Sequence, residues 1–385
     1  MHVLRFLLQI LGMNRFWNTI VAIVVVATLL AGCGNSSSED EYGFDELESL
    51  WDEDEETLSD TVDVWERYYT MSLDSVLAIL SSNRYVPNCD YGLESPIEEY
   101  GCYIRMNALC DNEKLHSLTK THPAPAVRAL AFDILHDRRY EGCYQLVKDC
   151  LNDTSLIEWG SCSIWTESVA SFMVDRMRIV NDGGHYTHLR MTPEQQREVD
   201  SILIFTPNMG HIDHLKWVLE KLPPELKYYS RIRSMYLYEG VPSSLPTLAR
   251  FRNEQDFKLV EEALEHYADD DDGVKLAEIG LNAVANWPDK RFWPMLRKIR
   301  WFVVQNYHHD CVYFGLQQGC INAAYHYYSP RAARYIRTFN DLTFGGMMVG
   351  WEFCRHYRHD LDNHPEIISQ KVPRSYKRMF RRYDN

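Results

Sequence analysis

The sequence lacks the short motifs that mark common catalytic and metal-binding sites. It has no CxxC pair, which excludes a zinc ribbon and a thioredoxin-type redox site. It has no HExxH pattern, no GxSxG turn and no glycine-rich phosphate loop, which excludes the usual zinc-protease, serine-hydrolase and P-loop arrangements. A catalytic pair assembled from distant residues would leave no such motif. The sequence therefore argues against an enzyme without excluding one, and it predicts no catalytic residues, no bound metal and no cofactor.

Basic residues are absent from a long stretch near the amino terminus. Residues 34–66 contain no Lys or Arg, whereas the serines at 36–38 are followed by acidic residues at 39–41 and again at 52–56. Such a segment cannot bury enough apolar surface to fold alone. It predicts a solvated tether over residues 33–60, before a folded domain over residues 61–370.

An apolar run precedes this tether. Residues 20–30 are too few for a comfortable membrane span, follow Arg15 and lead into Leu30-Ala31-Gly32-Cys33. This arrangement resembles the signal peptide and lipobox of bacterial lipoproteins, and the serine-rich and acidic stretch after it resembles the export signal of Bacteroidota surface lipoproteins. The resemblance implies that residues 1–32 are removed and that Cys33 carries the acyl chains, palmitate among them, of an outer-membrane lipoprotein facing the surface or the periplasm. An ordinary signal peptide or a single anchor helix is the alternative.

The charge balance limits the partners. The formal net charge of −15 becomes −17 without residues 1–32, which carry two arginines and no acid, so we expect no nucleic-acid partner. Positive charge is concentrated in a basic tail over residues 371–385. Its candidate binding residues, for anionic headgroups, lipopolysaccharide phosphates or the acidic tether, are Lys377, Arg378, Arg381 and Arg382. A tail that is merely solvated is the alternative.

The cysteines cannot all pair with one another. Nine remain beside the lipobox cysteine, and an odd number leaves at least one thiol unpaired. Cys102 and Cys110, or Cys143 and Cys150, are close enough in sequence to form a bridge in an oxidising compartment. The second pair also has the spacing of two buried residues on one helical face. We expect mostly buried thiols, and leave open a single bridge near Cys89, Cys102 and Cys110.

Apolar residues recur with helical spacing along most of the chain. They predict amphipathic helices near residues 127–135, 257–267, 276–287 and 292–303. Alternating strand-like patterns are scarce, and we interpret the ambiguous apolar run at 202–205 as helical. The aspartates at 269–272 lack the first and last ligands of a calcium loop, so we interpret them as a helix start capped by Asp272.

Similar helical segments recur at intervals of roughly 35 to 42 residues. The segment at 244–251 is echoed at 280–285 and again at 322–325. The segment Val127-Arg128-Ala129-Leu130-Ala131 resembles the second helix of HEAT-like repeats, which often opens with a Val-Arg pair. The resemblance implies an all-α fold, an α-solenoid of HEAT-like helix pairs. An irregular helical bundle or an α/α toroid is the alternative.

Histidines occur at spacings that could suit a metal. His185 and His188, and also His211 and His214, are three residues apart, and a third group lies at 356, 359 and 364. No carboxylate is placed with the first two pairs, and arginines surround the third group. We therefore interpret all three groups as solvated or structural histidines.

Aromatic residues cluster in the last third of the domain. Tyr325, Tyr327 and Tyr328 cannot all face inward on one helix. Tyrosine and tryptophan are favoured where a surface grips a peptide or a sugar, although core packing between stacked helices is the commoner use.

The solenoid resemblance implies a binding or scaffolding module that recognises another protein, in an immunity-type or adaptor role. The alternative is a polysaccharide lyase with an α/α-toroid fold and a glycan ligand, whose groove would include Asn322, Tyr325, His326 and Arg331. In both cases the candidate binding residues of the body are Tyr325, His326 and Arg331.

Overall fold

The computed structural model describes residues 70–82, 84–86, 97–160, 164–178, 189–306, 314–339 and 345–383. The predicted lipobox with Cys33, the acidic tether and the pair His185 and His188 lie outside the described residues. Within those ranges, no helix is long and apolar enough to cross a bilayer.

The described chain is mostly α-helical, as predicted. Its first six helices are α1 (Leu73–Ser82), α2 (Ile97–Leu109), α3 (Asn112–Thr121), α4 (Pro125–Asp137), α5 (Cys143–Cys150) and α6 (Val169–Met177). The next six are α7 (Pro193–Phe205), α8 (His214–Lys221), α9 (Leu226–Tyr238), α10 (Leu245–Ala249), α11 (Phe257–Glu265) and α12 (Asp271–Asn286). The last six are α13 (Trp293–Asn306), α14 (Phe314–Tyr325), α15 (Pro330–Arg337), α16 (Gly345–Asn363), α17 (Pro365–Gln370) and α18 (Arg374–Tyr383).

A small sheet corrects the all-α prediction. Strand β1 (Tyr85–Val86) pairs in parallel with β2 (Leu156–Gly160), which pairs in antiparallel with β3 (Ile164–Ser168). Both longer strands contain the branched and aromatic residues that suit a pleated surface. Their burial does not alternate, since the first three residues of β3 are exposed and the last two are buried. The alternation of apolar and polar residues that predicts a strand is therefore absent, and the sequence pattern does not reveal β2 and β3.

The predicted amphipathic helices are present as α4, α11, α12 and α13, and the ambiguous run at 202–205 is helical in α7. One predicted cap is wrong by two residues. Helix α12 begins at Asp271, and Asp270 is its cap because its side chain accepts a hydrogen bond from the backbone N–H of Gly273. Asp271 and Asp272 instead lie in the first turn, where acidic side chains favour the helix dipole.

Helix α4 is the centre of the amino-terminal half. Ten of its thirteen residues are buried, and it packs against α1, α2, α3, α5, α6 and strands β1 and β2. Arg128 near its start forms a bidentate ion pair with Asp153, with its Nε 2.7 Å from Oδ2 and its Nη2 3.0 Å from Oδ1. This pair ties the start of α4 to the chain just before β2.

Hydrogen bonds in the carboxy-terminal half join residues that are a near-constant distance apart in sequence. Helices α10, α12, α14 and α16 pack successively against one another. Asn286 bonds the carbonyl of Pro246, and Asn322 bonds Asn282, both across 40 residues. The side-chain hydroxyl of Tyr335 bonds the carbonyl of Leu296 across 39 residues. Side-chain hydrogen bonds thus join α12 to α10, α14 to α12 and α15 to α13.

The close approach of these helices depends on small residues. A methyl group at Gly319 of α14 would lie 2.8 Å from Cδ1 of Leu281 in α12, and one at Gly280 would lie 3.2 Å from the backbone nitrogen of Leu264. Both distances are shorter than ordinary van der Waals contact. Glycine at these positions lets α12 approach both α11 and α14.

The described thiols match the expectation of buried cysteines. Cys110 and Cys143 are buried and Cys150 is partly buried, and all three are free thiols. No bridge therefore joins Cys102 to Cys110 or Cys143 to Cys150. Burial raises the pKa of Cys143 to about 12, so this thiol stays protonated near neutral pH.

Candidate functional site

Tyr325 is the centre of a buried polar cluster. It is the last residue of α14, has no exposed surface, and packs its ring against His356 and Tyr376 with centroids 5.4 and 5.3 Å away. Its hydroxyl donates to Oδ2 of Asp360 at 2.9 Å, and the hydroxyl of Tyr328 donates to the same oxygen at 3.0 Å. We call the set Tyr325, His326, Tyr328, Glu352, His356, Asp360 and Tyr376 the tyrosine–histidine cluster.

Two of the three neighbouring tyrosines, Tyr325 and Tyr328, both reach Asp360 because the three residues are not on one helix. Helix α14 ends at Tyr325, and Tyr328 has the left-handed backbone conformation with a φ of 46°. The chain therefore reverses within three residues. Tyr327 points elsewhere, with its ring 4.6 Å from that of Trp293 and its hydroxyl donating to the carbonyl of Asp289 at 2.5 Å.

The tyrosines of the cluster are proton donors rather than bases. Burial raises the pKa of Tyr325 and of Tyr328 well above the usual value, and the nearby Asp360 carboxylate raises both further. A phenol that acts as a general base must lose its proton near the operating pH. The environment of Tyr325 opposes that loss, and the Tyr325 side chain has no surface exposed to solvent.

Two histidines complete the cluster. Nδ1 of His326 lies 2.9 Å from the carbonyl oxygen of Asn322, and burial lowers the pKa of His326. Nε2 of His356 lies 2.9 Å from Oε1 of the buried Glu352. Burial would raise the pKa of Glu352, but hydrogen bonds from His356 and Arg355 outweigh it and hold this pKa below its ordinary value. His326 is thus bound to the last turn of α14, which it directly follows, and His356 is bound to Glu352 on the same helix, α16.

Arg331 lies apart from this cluster. It is exposed in the first turn of α15, with its guanidinium carbon 4.8 Å from the ring centroid of Trp293. Asn322 instead bonds Asn282. The predicted set therefore divides: Tyr325 and His326 lie together in the buried cluster, whereas Arg331 lies on the surface between α13 and α15.

The four candidate residues of the basic segment lie on helix α18. Arg378, Arg381 and Arg382 are exposed and Lys377 is partly buried. The opposite face of the helix buries Tyr376 and Met379 and packs against α15 and α16. Residues 374–383 of the segment interpreted as a tail thus form a docked helix with an outward basic face.

The other histidines considered as ligands bind within the protein. Nδ1 of His211 lies 3.1 Å from the carbonyl of Asn208, and its Nε2 lies 2.9 Å from that of Leu151. Nε2 of His214 lies 3.0 Å from Oδ1 of Asp200. These contacts tie α8 and the preceding turn to α5 and α7.

One group that sequence reasoning missed has the composition of a metal site. Atoms of Asp133, His136 and Asp137 lie within 4.8 Å of one another. The spacing of three and four residues along α4 was the available signal. However, Nε of Arg176 lies 2.9 Å from Oδ1 of Asp133, and Asp137 accepts a hydrogen bond from Tyr103 at 2.7 Å. The guanidinium already neutralises one carboxylate and would repel a cation, so the group is better suited to joining α4 and α6.

Comparisons of the chain with protein-family models, with curated proteins and with solved structures gave no match.

Proposed function

We propose that this protein is a lipoprotein of the bacterial cell envelope, anchored through Cys33, whose helical body binds another protein. The arrangement of that body is proposed to be a solenoid of HEAT-like helix pairs. The successive packing of α10, α12, α14 and α16 supports this arrangement, and so do hydrogen bonds that recur at 39 and 40 residues. A solenoid offers a long surface for recognition without needing a deep pocket.

The observation that carries protein binding is a set of exposed tryptophans. Four of them are between 50% and 63% exposed: Trp165, Trp217, Trp301 and Trp351. Tryptophan is concentrated in the energetically dominant centres of protein interfaces, because it combines a large apolar area with one polar group. Exposing this area to water is unfavourable, and covering it with a partner removes the penalty.

No described arrangement favours the lyase alternative. Such an enzyme needs a tyrosine or histidine beside the substrate, together with a group that neutralises the uronate. Tyr325 is buried and donates to Asp360, and Arg331 lies against Trp293 instead. The binding module is therefore the function that the geometry supports best.

The first experiment is capture from crosslinked cells of the native host. The anchored protein is compared with Cys33→Ala, and mass spectrometry of the membrane fraction tests for acyl chains on Cys33. We expect one stoichiometric protein partner with the anchored form and acylation that is absent from Cys33→Ala. Unacylated Cys33 in the membrane fraction would contradict the anchor, and the absence of a stoichiometric partner would contradict the binding module.

Four single Trp→Ser variants then map the surface. Each changes an exposed side chain, so each should leave stability within about 0.5 kcal/mol of the original. We expect at least one to reduce partner recovery about tenfold or more, which corresponds to the loss of an interface centre. If all four recover the partner as well as the original protein, the exposed tryptophans do not carry the interaction.

A further inference from the structure

A groove with a cavity of about 270 Å³ lies between α13 and α15. Its floor includes the rings of Trp293 and Tyr335, which are both buried. Its walls carry four arginines, in pairs three residues apart on each helix: Arg297 and Arg300, and Arg331 and Arg334. This spacing places both members of a pair on the same face of their helix.

The groove is unusual in its charge. Helices α13 and α15 contain basic residues and no Asp or Glu, although the whole protein is acidic. Elsewhere, Arg128 pairs with Asp153, and Arg291 pairs with Glu254 at 2.8 Å. None of the four groove arginines has a carboxylate partner among the residues that the structure describes.

Aromatic rings and a hydroxyl position two of these arginines, Arg300 and Arg331, instead. The guanidinium carbon of Arg331 lies 4.8 Å from the ring centroid of Trp293, and that of Arg300 lies 5.8 Å from the ring centroid of Tyr335. Nη1 of Arg300 donates weakly to Oγ1 of Thr338 at 3.4 Å, and its buried Nε has no hydrogen-bond partner. Contacts with ring faces orient a guanidinium while leaving its N–H groups available.

We propose that this groove binds a ligand that carries a phosphate or diphosphate group. Four positive charges without a carboxylate need a strong counter-charge, and the planar fork of arginine matches two oxygens of one phosphate. The small volume suits a compact, multiply charged group rather than a folded protein. The buried rings of the floor leave little apolar surface for an acidic peptide to cover. This site does not depend on whether the protein also binds another protein.

The test is calorimetric titration of the full-length protein with pyrophosphate at low salt. Arg297→Ala combined with Arg334→Ala removes one groove arginine from each helix. The matched control, Lys298→Ala combined with Arg337→Ala, removes the same charge from the same two helices outside the groove lining. We expect the first pair to weaken binding about a hundredfold, or about tenfold for each charged hydrogen-bonding group, and the control to change it less than about threefold.

A third variant separates charge from geometry. Arg297→Lys with Arg334→Lys keeps the charge without the planar fork, and we expect binding between that of the original protein and that of the alanine pair. Circular dichroism checks that each variant is folded. If the double alanine variant is not folded, the double lysine variant becomes the test of the proposal. Pyrophosphate binding by the double lysine variant that equals binding by the original protein would then overturn the proposal.

The remaining arms identify the ligand class and its source. Citrate and a glutamate-rich peptide should bind at least about tenfold more weakly than pyrophosphate, because their carboxylates carry single charges. Equal binding of these carboxylates, or no binding of millimolar pyrophosphate, would overturn the proposal. In a further experiment, the Cys33→Ala protein is sedimented with phosphatidic acid vesicles. If it co-sediments, and if adding Arg297→Ala and Arg334→Ala abolishes this, the phosphate belongs to a lipid headgroup. Pyrophosphate binding without co-sedimentation would assign it to a soluble ligand.

Discussion

Replacing the buried Glu167 by Gln should stabilise the protein above neutral pH. Glu167 lies on β3 opposite Ile157 of β2, and only 8% of its surface is exposed. Burial raises its pKa from 4.5 to about 7, and the neighbouring carboxylates of Asp175 and Asp213 act in the same direction. The side chains of Ser171 and Trp159 oppose the rise without cancelling it.

The sign of the pH dependence follows from this raised pKa. The folded protein holds the proton of Glu167 more tightly than the unfolded chain does, so this group favours folding most at low pH. Its contribution is fully present below pH 4.5 and is lost as the pH rises through about 7. The difference between the two pKa values corresponds to about 3 kcal/mol. Glutamine has nearly the same shape and never ionises, so Glu167→Gln should avoid this loss.

The assay is urea unfolding of both proteins across this pH range. We expect nearly equal free energies of unfolding near pH 4.5, and Glu167→Gln to be more stable by about 3 kcal/mol at about pH 8. The effect of Glu167 is read from the difference in the free energy of unfolding between the two proteins. The other carboxylates titrate in both proteins, so their contributions cancel in this difference.

An exposed carboxylate supplies the control of opposite sign. A hydrogen bond from the backbone of Glu194 itself and the nearby Arg197 lower the pKa of Glu194. The benefit of this carboxylate should therefore fade as the pH falls, and Glu194→Gln should be slightly destabilising at neutral pH only. If Glu167→Gln instead destabilises the protein at about pH 8, or shifts stability equally at every pH, the raised pKa of Glu167 is refuted.

Three further predictions concern packing, hydrogen bonding and thiol chemistry. Gly319→Ala should lower the free energy of unfolding by about 1 to 3 kcal/mol, because its methyl group would lie 2.8 Å from Cδ1 of Leu281. Unchanged urea unfolding would show that the Leu281 side chain can move aside. Tyr376→Phe should cost about 1 to 2 kcal/mol, because its hydroxyl donates to the last carbonyls of α14, including that of Tyr325 at 2.9 Å. If Tyr376→Phe lowers the free energy of unfolding by less than about 0.5 kcal/mol in the same assay, those carbonyls are hydrogen-bonded to water instead. Cys143, whose pKa burial raises to about 12, should react with iodoacetamide only after unfolding. Rapid alkylation of Cys143 in the folded protein, followed by mass spectrometry, would contradict its burial.

The helices were predictable because their apolar residues follow the helical period. Val260 and Leu264, for example, are buried on one face of α11, as their spacing of four residues requires. Helix boundaries were less accurate. Four consecutive aspartates can each act as a cap, and the sequence alone does not distinguish Asp270 from Asp272.

The sheet was not predictable from apolar pattern because tertiary contacts reverse the usual burial. Ile164 and Trp165 of β3 are exposed, whereas Glu167 on the same strand is buried. A pattern search expects the opposite assignment at all three positions. The raised pKa of Glu167 is a consequence of this same reversal.

The sequence singled out Tyr325 and His326 as candidates, but it did not predict the cluster in which they lie. The tyrosine–histidine cluster assembles from α14, α16 and α18, and the partner of Tyr325, Asp360, lies 35 residues away in sequence. The spacing of the helical segments in the sequence indicates which helices are neighbours. It does not predict that Asp360 accepts hydrogen bonds from two tyrosines, since that depends on the turn at Tyr328.

The arginine groove, in contrast, left a signal in the sequence that the spacing between α13 and α15 could have revealed. Arg300 contacts Thr338 across 38 residues, and the same offset relates Trp293 to Arg331. If α13 is aligned with α15 by this offset, Arg297 falls opposite Tyr335 and Arg300 opposite Thr338, so the arginine pairs of the two helices are staggered by about one helical turn. No acid is placed between them. A constant offset between helices therefore does more than predict which helices stack. It predicts which surface residues of neighbouring helices come close, and arginines that come close without a carboxylate favour the binding of an anion.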